Sequence, residues 1–260
     1  MNSEKLAVVT GGASGIGKAT ATAFAVAGYR VVIADINAQS GSSLAAELTQ
    51  QGLWAKFHEL DLSSDHQVES FANTVLTDYG VPDVLINSGG LLQNATRVMD
   101  MDMAEFDRIW QVNVRGTVIA SRAFGKPMCQ AGRGSIVHLC SLTTYRPSAQ
   151  VAYAMGKASL KMLTEIMAAE LGPQGVRVNA VAPGYTLTPA MQARIDAGER
   201  DPAAIVDRSA LRRFVQSEEV AQSILFLCSD AANAITGIVM PIDAGWLPTT
   251  GYQAFASQPK

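Results

Sequence analysis

Three cysteines in 260 residues are too few and too scattered for a disulfide framework. Cys129, Cys140 and Cys228 read as reduced packing thiols, and the expectation they carry is a cytoplasmic protein. Histidine is equally scarce. His58, His66 and His138 do not pair with cysteine or carboxylates at ligand spacing, so no metal centre is expected. There is no run of Lys and Arg, and the net charge is −3, which argues against a nucleic-acid surface. No stretch of about 18 uncharged apolar residues occurs, so no membrane span is expected. The opening MNSEKLAVVTGG passes almost at once into a strand-like run and leaves no room for a signal peptide. A G-x-S-x-G nucleophile elbow is missing, as are repeats, low-complexity tracts and an obvious linker. What remains is a chain long enough to bury a large core as one α/β domain.

Apolar runs alternate with amphipathic segments throughout. LAVVT, Leu6–Thr10, is short and β-branched, the pattern of a buried strand. A helix is expected from Gly15 to Ala27, a strand at Val31–Asp35, a helix near Ser40–Gln51 and a third strand over AKFHELD, Ala55–Asp61. A helix follows DLSSD, and VPDVLIN is a fourth strand ending at Asn87. A long helix is expected from Met103 to Cys129, its acidic start formed by Asp100, Asp102, Glu105 and Asp107. SIVHLCS is a fifth strand ending at Ser141, followed by a helix running to about Leu171. GVRVNAVAPG, a helix over Ser217–Asp230 and GIVMPID complete the series. Strands apolar on both faces and separated by helices imply a doubly wound sheet of seven parallel strands, covered on both sides. Tyr185–Arg213 breaks the rhythm beyond the end of the sixth strand, where an insertion is expected to form a lid over a site.

Thr10–Gly17, TGGASGIG, lies between a strand and a helix, the context of a dinucleotide-binding turn. Gly11, Gly15 and Gly17 allow a tight turn and a close backbone approach. Ser14 and Ile16 complete the stretch, and free N–H groups at the helix start favour a pyrophosphate. Asp35 ends the second strand, where a carboxylate either accepts both ribose hydroxyls of an adenosine or caps the next helix. With Ser14 and Asn37 neutral, nothing offsets its repulsion of a 2′-phosphate, so NAD is expected over NADP. Asp61 either meets the adenine amine or caps the helix after DLSSD, and Leu62 beside it is counted on the same wall.

Tyr153 and Lys157 stand four apart in YAMGK, which places both on one helical face a turn apart. A phenol titrates near pH ~10. A nearby ammonium favours the phenolate and is expected to lower that value into the working range of a general base. Ser141 lies just upstream.

In order along the chain, these motifs resemble the short-chain dehydrogenases/reductases over essentially the whole length. Thr10–Gly17 matches TGxxxGxG. Asn87–Gly90, NSGG, resembles NNAG, with Ser88 and Gly89 where the family has Asn and Ala. Asn113 in QVNVRG, Ser141, and Tyr153 with Lys157 match the active-site positions. Pro183–Thr188, PGYTLT, resembles the PG motif, and Asp243–Gly245 stands where the family often has DGG. The resemblance implies one NAD-binding Rossmann-type domain over 1–260, with a lid near 185–213. It makes Tyr153 the acid/base, and has Lys157 lower its pKa and hold the nicotinamide ribose. Ser141 then binds the substrate oxygen, and Asn113 holds a water linking Lys157 to solvent. It places Asn87, Pro183, Gly184, Thr186 and Thr188 on the cofactor. It also implies a homotetramer, with the Asn113 and Tyr153 helices pairing across an interface. ASLKMLTEIMAAEL carries small and apolar residues on more than one face, in keeping with that.

Position relative to the motifs nominates Leu91, Leu92 and Met191 for the substrate pocket, with Thr143, Gln150 and Tyr185 as polar handles. Trp246 and the tail TTGYQAF are further candidates, in this subunit or a neighbour. Placed polar groups suit a small polyol or sugar. An oxoacyl thioester reductase, docking its carrier on Arg208, Arg212 and Arg213, is the alternative enzyme. A dinucleotide sensor or scaffold is the alternative outside catalysis, and the joint presence of Asn113, Ser141, Tyr153 and Lys157 argues against it.

Overall fold

The computed structural model describes residues 5–252. Seven parallel strands form one sheet in the order β3-β2-β1-β4-β5-β6-β7. They are β1 (Leu6–Thr10), β2 (Arg30–Asp35), β3 (Ala55–Glu59), β4 (Val84–Asn87), β5 (Gly134–Leu139), β6 (Val176–Pro183) and β7 (Val239–Ile242). The central strands are buried on both faces because their side chains feed two cores. Val8, Val32 and Leu85 pack with Phe71, Phe124 and Met128 on one side. Val9, Ile33 and Ile86 pack with Phe24, Leu48 and Ile224 on the other. This explains why these strands read as continuous apolar runs rather than alternating ones.

The first half of the chain supplies α1 (Gly15–Val26), α2 (Ala38–Gln50), α3 (Asp65–Asp78), α4 (Met103–Trp110) and α5 (Thr117–Ala131). The second half supplies α6 (Val151–Leu171), α7 (Pro189–Asp196), α8 (Pro202–Val206), α9 (Ser217–Cys228) and α10 (Trp246–Tyr252). No helix among the described residues is long and apolar enough to cross a membrane. Strand order reverses between β1 and β4, so the helices α1 and α5 that follow them pack on opposite faces and a crevice is left at the strands' carboxyl ends.

Several expected boundaries shift, and the shifts lie where the site is built. The third strand stops at Glu59, freeing Asp61 from the ladder, and the fifth stops at Leu139, freeing Ser141. The helix expected over Met103–Cys129 is three pieces: α4, a π-helical segment Gln111–Gly116, and α5, which ends at left-handed Gly132. The π turn lies at Asn113. Asp102 caps α4 by accepting from the Ala104 N–H, as the acidic start suggested. The expected helix over Ser217–Asp230 ends at Cys228. Tyr185–Arg213 holds α7 and α8.

A buried polar seam crosses the sheet. Asn87 Nδ2 donates to Ser121 Oγ at 3.0 Å, and Ser121 lies 3.1 Å from His138 Nε2. His138 Nδ1 lies 2.9 Å from Thr164 Oγ1, which itself donates to the Leu160 carbonyl. Thr164 therefore accepts from Nδ1–H, leaving Nε2 to accept from Ser121. Burial, then the charge of Lys157, pushes His138 down to about 3, so the imidazole is a neutral strut.

Candidate active site

The crevice is a cleft of about 640 Å³ running from β2 past β1, β4 and β5 to the start of α7. Its size is that of a cofactor site. At one end the β1–α1 turn presents the first residues of α1, whose N–H groups have no intrahelical partner. Gly15, Ile16 and Gly17 line the cleft there, with Gly11 and Ser14 before them. The turn is tight. A Cβ on Gly17 would sit 1.9 Å from the Gly11 carbonyl oxygen, and one on Gly11 would sit 2.4 Å from the Gly89 Cα. Only glycines let the turns after β1 and β4 close on each other.

Asp35 faces the same cleft and is not a helix cap. Its Oδ2 accepts from the Ala13 N–H at 3.0 Å and its Oδ1 from the Asn37 N–H at 2.9 Å. The cap of α2 is Asn37, and that of α3 is Ser64. Asp61 is therefore not that helix's cap either. It holds the Ser63 N–H and lines the cleft with Leu62. Asn87 is the one expected cofactor residue that stands off the wall. Its side chain serves the buried seam, with Oδ1 lacking a partner among the described residues, while Ser88, Gly89 and Gly90 form the surface.

At the far end Ser141, Tyr153 and Lys157 come together on the wall. Ser141 leaves β5 in an extended conformation and starts a short turn. Its Oγ accepts from the Thr143 N–H at 3.3 Å, while Thr144 Oγ1 accepts from the Ser141 N–H and donates to the Lys157 carbonyl. This ties the serine loop to α6. The Ser141 hydroxyl acts on the Tyr153 phenol to lower its pKa, but burial outweighs that and leaves the phenol above its ordinary value.

The phenol is thus not lowered as expected, and Lys157 is engaged elsewhere. The Lys157 Nζ donates to the Leu139 carbonyl at 2.5 Å and lies 5.6 Å from the centre of the tyrosine ring. Lys157 is only 4% exposed, and burial pushes its ammonium down to about 8. Asn113 is fully buried off the wall. Its Oδ1 accepts from the Leu91 N–H at 2.7 Å, and its Nδ2 donates to the Leu91 carbonyl at 2.9 Å. The side chain thus clamps the loop after β4, and its own carbonyl takes the Thr117 hydroxyl.

A family model described as enoyl-(acyl carrier protein) reductase matches residues 11–247. A cyclopentanol dehydrogenase of Comamonas testosteroni is 34% identical, covering 94% of this chain and 97% of that protein. A galactitol 2-dehydrogenase of Rhizobium johnstonii is 37% identical, covering 92% and 94%. Among solved structures, one described as an NAD(P)-dependent gluconate 5-dehydrogenase from Beutenbergia cavernae holds NADP at low occupancy. It is 30% identical with a TM-score of 0.88, covering 95% of this chain and 98% of that one. This chain belongs to the short-chain dehydrogenase/reductase family.

The family uses a nicotinamide cofactor, and the residues here fit one. The free α1 N–H groups suit a pyrophosphate, the backbone-held Asp35 suits a ribose diol, and Pro183, Gly184, Thr186 and Thr188 close the opposite wall. Leu91, Leu92 and Met191 line the cleft as expected for a dehydrogenase pocket. The three polar handles do not. The Gln150 amide donates to the Gln93 carbonyl. Tyr185 packs on Trp246, with ring centres 5.8 Å apart. Thr143 Oγ1 is buried without a partner among the described residues. Side-chain direction at these positions is set by packing that local spacing does not reveal. Arg108, Val112 and Ala190 also line the cleft and were not nominated by any motif. Gln253–Phe255 of the nominated tail lie outside the described residues.

Proposed function

We propose that the chain is an NAD-dependent dehydrogenase that oxidises a secondary hydroxyl of a small polyol or sugar. The observation that carries the reading is the convergence of Ser141, Tyr153 and Lys157 at one end of a cleft whose other end is Asp35. Bound there, the nicotinamide supplies the hydride acceptor. Tyr153 Oη takes the substrate hydroxyl proton as the carbon gives up hydride, so the products are a ketone, reduced nicotinamide and a proton. The Ser141 hydroxyl donates to the oxygen on which charge develops. Lys157 steadies the phenolate once its ammonium turns from Leu139, and Asn113 keeps the loop after β4 in place behind it. Residues 185–213, joined to the opposite rim by Arg194 donating to Asn94 at 3.0 Å, act as the lid.

The apolar wall of Leu91, Leu92 and Met191 favours a second reading, a cyclic secondary alcohol. The curated relatives include enzymes named for each substrate type. kcat/KM for galactitol against cyclopentanol separates the two. The thioester alternative loses support because Asp207 pairs with Arg212 and Glu219 with Arg213, neutralising much of the candidate docking patch.

NAD preference rests on Asp35 with neutral Ser14 and Asn37 beside it. NAD is expected to be used at least about tenfold better than NADP, roughly 1.4 kcal/mol. Asp35→Ala with Asn37→Arg should move the ratio toward NADP, and a wild-type enzyme equally efficient with both would sink the idea. A homotetramer is proposed from Met155, Met162 and Ile166, which form an exposed apolar stripe on α6 at 50%, 55% and 47% exposure. Sedimentation at micromolar concentration should give the mass of four chains, and a monomer would refute the assembly.

A further inference from the structure

We propose that Gln93 is a positioning residue that holds Tyr153 in register by serving as the missing cap of α6. The inference rests on Tyr153 as the acid/base. The first N–H groups of a helix need partners from outside it. Gln150, at the cap position, makes no side-chain bond to them. Gln93 provides one from 60 residues away, its Oε1 accepting from the Tyr153 N–H at 3.3 Å.

The glutamine is itself fixed at three points. Its Nε2 donates to Glu105 Oε2 on α4 at 3.4 Å, its carbonyl accepts from the Gln150 amide, and its side chain is packed to 1% exposure. A buried amide with both ends engaged has one orientation, because a flip would set Nε2 against an N–H donor and Oε1 against a carboxylate. The loop after β4, which also lines the cleft through Leu91 and Leu92, is thereby bolted to the residue whose hydroxyl must meet both Ser141 and the substrate. Gln150, nominated for the substrate, belongs to this brace.

The brace acts on where the phenol stands. A misplacement of about 1 Å can cost on the order of a hundredfold in rate. Gln93→Met keeps the volume and removes the acceptor. With NAD and whichever of cyclopentanol or galactitol is turned over faster, it should lose about ten- to a hundredfold in kcat. KM for NAD should hold, and the rising limb of the pH–rate profile should move to higher pH as the Ser141–Tyr153 bond loosens. Amide exchange in the peptide carrying Tyr153 should quicken while the rest of α6 keeps its protection. The swap Gln93→Glu with Glu105→Gln retains an acceptor for the Tyr153 N–H and an opposed donor–acceptor pair, and should recover most of the rate and protection.

Wild-type kcat, pH profile and exchange in Gln93→Met would overturn the proposal. So would a rate loss in which exchange at Tyr153 is unchanged or the swap fails to rescue. If Gln93→Met does not fold, Glu105→Ala, which frees the Nε2 end of Gln93 and leaves its Oε1 and carbonyl bonds in place, should give a smaller loss in rate and protection in the same direction, and wild-type values there would overturn the brace. The exchange arm needs no substrate. Tyr153→Phe run alongside separates failures: full activity there removes the acid/base reading, whereas an inactive Tyr153→Phe beside an unperturbed Gln93→Met removes only the brace.

Discussion

Tyr153→Phe is expected to cut turnover by about a hundred- to ten-thousandfold, the range general acid–base catalysis supplies. The change deletes one hydroxyl and keeps the ring. The backbone N–H of residue 153 still bonds to Gln93 and the helix face is untouched, so the fold loses only what the hydroxyl shares with Ser141. Binding of NAD should survive, because the pyrophosphate and ribose ends of the cleft lie on α1 and β2. The measurement is steady-state rate beside a fluorescence titration of cofactor. Near-normal turnover in the variant would remove Tyr153 as the proton acceptor.

Lys157→Met should separate stability from activity. A lysine with its ammonium pushed down to about 8 binds fewer protons in the fold than in the unfolded chain at pH values between there and about 10.5. Stability from this group therefore rises with pH across that window, and below it the full cost of the buried charge remains. That cost is on the order of 3 kcal/mol. Methionine fills similar space without charge. Losing the charge-assisted bond to the Leu139 carbonyl costs about 1.5–3 kcal/mol, so a net gain of at most roughly 1.5 kcal/mol at neutral pH is expected. Turnover should fall on the order of a hundredfold, since the phenolate loses its cation. Denaturant melts at neutral and alkaline pH test this: the gain should shrink as pH rises. A variant less stable at neutral pH and fully active would contradict it.

What was legible in the sequence was whatever local spacing encodes. A glycine turn between a strand and a helix, and a tyrosine and lysine one turn apart, are fixed by a few consecutive residues. Their positions along one cleft follow once the strand order does. Long-range pairings were not legible. Gln93 reaches Tyr153 across 60 residues, and Asn113 reaches Leu91 across 22. No periodicity marks either. The side-chain directions of the substrate candidates were hidden for the same reason: Gln150 and Tyr185 lie near the right motifs in sequence, but their side chains meet the Gln93 carbonyl and the Trp246 ring. Spacing brings Tyr153 and Lys157 to one face without fixing where the flexible ammonium points, which is the Leu139 carbonyl. The π turn at Asn113 was invisible because its residues suit an ordinary helix.

The most direct measurement is initial rate with NAD and with NADP, side by side, on galactitol and cyclopentanol, and with NADH and NADPH on a 3-oxoacyl thioester. The account predicts reduction of NAD by a secondary alcohol, at least about tenfold more efficient than reduction of NADP, and lost in Tyr153→Phe. Reduction of the thioester with NADPH and no turnover of any alcohol would contradict it.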